Sequence, residues 1–91
     1  MPHIKLLNQS TKYRNEGDEE KYMALISEEP HSPIRQMSSK KFIDIRIDHI
    51  GDISDTMGTI AALVTTENSS ESYYMFVFHK INGQWKIYDI D

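Results

Sequence analysis

Two residues, Asn82-Gly83, constrain this chain more than any others. They stand between two runs of strand formers, "SYYMFVFHKI" and "QWKIYDID". Asn-Gly is the favoured two-residue loop of a β-hairpin, because both positions need a left-handed backbone. Such a loop fixes register. Ile81 then faces Gln84, and pairing proceeds outward: Lys80 with Trp85, Phe78 with Ile87, Phe76 with Asp89, Tyr74 with Asp91. Strict alternation puts the side chains of the last four pairs on one face. The other face receives Ile81, His79 with Lys86, Val77 with Tyr88, and Met75 with Ile90.

The rest of the chain supplies the partners. "KFIDIRIDHI" alternates cleanly, with Ile43, Ile45 and Ile47 on one side and Asp44, Arg46 and Asp48 on the other. That is a half-exposed antiparallel strand. "TIAALVTT" is a strand with apolar residues on both faces, so Ile60, Ala62 and Val64, or Ala61 and Leu63, join either side. "GDISDTMG" and "ENSSE" are the turns between. Upstream the period is helical. Ile4 and Leu7, with Leu6 and Tyr13 alongside, form an apolar stripe. Gly17 suits the end of that helix and Asp18 the N-cap of the next. Glu19 and Glu20 favour its first turn, and Tyr22, Leu25 and Ile26 form its buried face. Pro30, Pro33 and several serines break the chain before the strands begin. Helices followed by a run of strands indicate an α+β domain: two short N-terminal helices packed on a curved four-stranded antiparallel meander. Ninety-one residues make this one domain, 1–91.

Two stretches, "KYRNEGDEEKYMALIS" and "YYMFVFHKINGQWKIYDID", resemble the nuclear transport factor 2-like superfamily, within the cystatin-like α+β roll. There a helix breaks at an N-x-G-D-like turn, and a late hairpin returns through a Gly-x-Trp-Lys-Ile type strand. The resemblance implies the roll fold. The superfamily includes isomerases, dehydratases, polyketide cyclases, transport factors and binding or dimerising modules. Larger members place a further strand and helix, which help close the pocket, where this chain has only the stretch around Glu29 to Ser39. The Gln-x-Val-x-Gly hairpin of cystatin inhibitors is absent; Met37-Ser38-Ser39 follow Gln36.

Function is bounded mainly by exclusion. The chain has no cysteine, which removes disulfides, thiolate metal sites and cysteine nucleophiles. Its ten basic residues are scattered and its net charge is −4, unlike a nucleic-acid footprint. Among His3, His31, His49 and His79 no pair has metal-binding spacing, and no Gly-x-Ser-x-Gly elbow or phosphate loop occurs. No metal or cofactor is expected. No run is long and apolar enough to span a membrane, and "MPHIKLLNQS" is too short and polar for a signal peptide. A chain native as given would be cytoplasmic. An export signal removed upstream would instead make it the ectodomain of an exported bacterial protein.

The expected function is a non-enzymatic module that binds a small apolar ligand or associates with itself. The expected ligand site is the face bearing Tyr74, Phe76, Phe78, Trp85 and Asp89. The rival is a small acid–base enzyme of isomerase, cyclase or dehydratase type. It would use Asp89, the one catalytic candidate, because apolar surroundings raise a carboxyl pKa and can make it a general base. Two short helices cover one face of a four-stranded sheet. The other, bearing Met75, Val77, Tyr88 and Ile90, is expected to pack against a second copy in a homodimer.

Overall fold

Pro2 opens the first helix, α1 (Pro2–Glu16), where its missing N–H costs nothing. All 91 residues, 1–91, are described in this computed structural model. The helix stops at Gly17, left-handed at φ 73° and ψ 21°. The Gly17 N–H donates to the Arg14 carbonyl and the Asp18 N–H to that of Tyr13. Asp18 then caps α2 (Glu19–Ala24), its carboxylate accepting from the Lys21 N–H at 3.1 Å. Both ends lie where the glycine and the aspartate predict them. Leu25 and Ile26 fall past the end of α2. There the chain extends along the sheet edge, with the Ile87 N–H donating to Leu25 and the Ser27 N–H donating to Ile87.

Four strands follow: β1 (Phe42–Ile50), β2 (Met57–Thr66), β3 (Glu71–Ile81) and β4 (Gln84–Ile90). They form one antiparallel sheet in the order β1-β2-β3-β4, so the domain is α+β with a meander sheet. At the last hairpin Asn82 has φ 52° and Gly83 φ 79°, the doubly left-handed loop that the dipeptide predicts. Pairing runs as expected from Ile81–Gln84 to Phe78–Ile87.

Beyond Phe78 the expected register fails. Val77 pairs with Asp89 and Phe76 with Ile90, which leaves Tyr88 as an extra residue in a β-bulge. Asp89 therefore does not oppose Phe76, and Asp91 does not oppose Tyr74. Met75 exchanges two backbone hydrogen bonds with Asp91 instead. The physical reason is burial. Ile87 and Ile90 both reach the covered face, and Asp89 leaves it, since an unpaired carboxylate there would be costly.

β1 bends in the same way, with register shifts between Phe42 and Asp44 and between Ile47 and His49. Phe42 takes the core position opposite Thr66, while Ile45 and Ile47 oppose Val64 and Ala62. Ile43, expected beside Ile45, is the extra residue and is 62% exposed.

The core lies between the helices and one sheet face. Leu6, Leu7, Tyr22 and Ile26 pack on Phe42, Ile60, Ala62, Val64, Phe76, Phe78 and Ile87. Trp85 shares this face but only lines its rim, half-buried. The buried stripe of α1 is partly polar. His3, Ser10 and Arg14 lie on it with Leu6 and Leu7, whereas Ile4 and Tyr13 are half-buried. No helix is long and apolar enough to cross a membrane.

Candidate functional site

The five residues expected to line one ligand site are dispersed. Phe76 and Phe78 are fully buried and filled over by the helices. Trp85 lies against His3, ring centroids 4.2 Å apart. Tyr74 lines a cleft at the other end of the same face. Asp89 is turned to the opposite face by the Tyr88 bulge, beside Val77 rather than among Tyr74, Phe76 and Phe78. Its carboxylate takes no hydrogen bond or ion pair. The expected setting among Tyr74, Phe76 and Phe78 is therefore missing.

The outer face has no helix over it. Met75, Val77 and Tyr88 lie there as expected, with Ala61, Leu63 and Tyr73 beside them. Tyr73 is 57% and Met75 43% exposed. Ile90, expected on this face, is on the other, because the bulge pairs it with Phe76 and sets it against the core. The apolar band is flanked by charges of both signs. Asp44, Arg46 and Asp48 stand along β1, and Asp89 and Asp91 lie at the far side. The Tyr73 hydroxyl donates to the Asp48 carboxylate, and this bond holds its pKa above the usual phenol range.

One contact crosses from the loop after α2 to this face. The Glu29 carboxylate accepts from the Ser27 hydroxyl and from His79 Nδ1, each at 2.8 Å. A carboxylate only accepts, so Nδ1 carries the proton. The Tyr88 ring stacks on His79 at 4.0 Å and 16°. The Ser27 bond, followed by the His79 bond, holds the Glu29 pKa below its ordinary value. Nearby, the buried Ser32 hydroxyl donates to the Tyr88 carbonyl at 2.7 Å. Together these bonds fasten the proline-bearing loop over the β4 edge. That edge would otherwise offer free backbone groups to another chain.

The cleft that Tyr74 lines opens between the loop at residues 33–40 and the end of the sheet, with a volume of about 450 Å³. Arg14 reaches it from the last turn of α1. Its guanidinium donates to the Tyr22 hydroxyl at 2.9 Å and to the Lys40 carbonyl at 3.3 Å. Burial raises the Tyr22 pKa, and Arg14 partly offsets this. Sequence reasoning missed Arg14 because it searched α1 for apolar residues. Its position seven residues after Leu7 was the available signal. Comparison with protein-family models, curated proteins and solved structures finds no match for this chain.

Proposed function

We propose that this chain is a small non-enzymatic module that associates with a second copy of itself through the outer sheet face. The observation that carries the reading is the uncovered apolar band around Met75, Val77 and Tyr73. Contiguous apolar surface of this kind on a soluble domain commonly marks an interface. The rim supports a self-complementary contact. A two-fold axis brings one patch against itself, so a rim of single sign would repel its copy. Here Arg46 lies among Asp44 and Asp48 and takes part in no ion pair within the chain. A dimer of nuclear transport factor 2-like type, the resemblance read from the two sequence stretches, agrees with this arrangement.

A stable contact of ordinary size buries about 1,200–2,000 Å² in total. The monomer exposes 5681 Å², so the sheet face can supply one partner's half. Sedimentation equilibrium across a concentration series up to about 100 μM tests the proposal, since mass action must show in the weight-average mass. The expected result is a dimer that Val77→Lys splits without loss of the helical circular dichroism signal. A single-chain mass throughout the series would overturn it.

A further inference from the structure

Arg14 is the only charged side chain among the buried residues, at 7% exposure. No carboxylate pairs with it. The acidic contacts of the chain's basic side chains lie elsewhere: Lys21 with Asp18, and His79 Nδ1 with Glu29. Its oriented partners are neutral: the Tyr22 hydroxyl, the Lys40 carbonyl, and the Phe42 ring, whose centroid is 4.1 Å from the guanidinium carbon. The C-terminal end of the α1 dipole offers only about half a negative charge. Buried cations are normally paired, because desolvation otherwise opposes them. A guanidinium has five N–H donors, and the Nε–H here has no protein acceptor.

The cleft beside it is one-signed. Arg14, Arg35 and Lys40 line it, and no acidic residue does. This stands out in a chain where acids outnumber bases 14 to 10. Its wall is flat and apolar. The Phe42 and Tyr74 rings lie 5.6 Å apart at a 32° tilt, with Ile34 and Ile90 beside them.

We infer that this cleft binds a small organic carboxylate with a flat apolar body. The carboxylate supplies the missing counter-charge at Arg14, with Arg35 and Lys40 adding attraction from the rim. The body rests on Phe42 and Tyr74. A carboxylate fits better than a phosphate. One planar guanidinium edge matches its two oxygens. Phosphates usually also take backbone N–H groups at a helix N-terminus, and α1 presents its C-terminal end here. The site lies on the helix side of the sheet, so it stands or falls independently of association through the outer face.

The test is a titration of the ¹⁵N-labelled chain, followed by NMR, with naphthoate as the probe and naphthamide as its uncharged isostere. Naphthoate should shift the Arg14 Nε–H and the amides of Ile34, Phe42 and Tyr74, with a Kd of about 1 mM or below. Naphthamide should bind at least about tenfold more weakly, because it lacks the charge-assisted bonds. Arg14→Gln should abolish the difference. Should that variant fail to fold, Arg35→Gln with Lys40→Gln tests the same point, since both side chains are exposed. The pair should weaken naphthoate by roughly threefold or more while leaving naphthamide unchanged. Equal binding of the two probes, shifts confined to other residues, or no shift at about 10 mM would overturn the assignment. Tighter binding of naphthyl phosphate would overturn the choice of carboxylate.

Discussion

His3 should make this domain sensitive to mild acid. Its ring is 3% exposed, between Trp85 at 4.2 Å and Phe78, which it meets nearly edge-on at 5.2 Å. Gly58 makes the room, since a β-carbon there would stand 2.8 Å from Nε2. Neither ring nitrogen has a hydrogen-bond partner. Burial therefore pushes the His3 pKa below 6.5, with the positive amino terminus adding to it. The unfolded chain takes up a proton near pH 6.5 and the folded chain does not. Below that pH the unfolded state binds more protons. Stability is full above pH 6.5 and falls as pH drops toward the lower folded value.

The loss is at most about 1.4 kcal/mol per pH unit, one proton's worth. A domain of this kind holds a few times that, on the order of 5–10 kcal/mol. His3→Leu removes the effect. At neutral pH it also removes two unpartnered nitrogens, worth about 1–3 kcal/mol, and forfeits ring contacts worth about 0.5–1.5 kcal/mol. The expected net is a gain of about 1 kcal/mol. Urea unfolding followed by the single tryptophan, Trp85, at steps from about pH 7.5 to about pH 5.5 measures both variants. The parent-minus-variant difference isolates His3 from His31, His49 and His79. If the two chains lose stability in parallel over that window, the neutral buried ring is not the cause and the reasoning fails.

Phe78→Ala should cost about 3–5 kcal/mol, and Trp85→Ala, at the rim, clearly less. Equal losses in urea melts would place Trp85 in the core centre instead. Glu29→Gln should destabilise the parent fold at neutral pH, because the carboxylate's bonds to Ser27 and His79 depress its pKa. That difference should be full above pH 4.5 and vanish as pH falls through the lower folded value, which acid melts of the two variants can follow. A difference that grows in acid would contradict the assigned partners.

Features governed by local rules were readable in advance. The Asn82-Gly83 loop, the Gly17 stop and the Asp18 cap each depend on a few adjacent residues. The order of helices and strands follows from a change of hydrophobic period. The three bulges, at Ile43, Asp48 and Tyr88, were missed because strict alternation was assumed. Each lies between two apolar residues three apart: Phe42 and Ile45, Ile47 and Ile50, Ile87 and Ile90. In an unbroken strand such a pair must split between faces. One inserted residue lets both members share a face, at the cost of a local kink. Spacing of three inside a strand pattern was thus the signal, and it decides where Asp89 and Ile90 point.

The cleft was hidden for a different reason. Pattern reading assumes that a helix buries its apolar stripe. Along α1 the buried positions 3, 6, 7, 10 and 14 keep helical spacing, yet three of the five are polar. Ser10 is explained locally, its hydroxyl donating to the Leu7 carbonyl at 2.7 Å. His3 and Arg14 are not, since one lacks partners and the other lacks a counter-ion. Departures from local consistency tend to collect at working sites, because packing alone would select apolar residues there. A plain structural clamp between α1 and the start of β1 already exists in Asn15, which accepts from the Phe42 N–H at 2.9 Å and donates to the Phe42 carbonyl at 2.7 Å. Arg14, one residue away, is not needed for that task alone. Its burial at the wall of a cationic cleft is better accounted for by an anion arriving from solution.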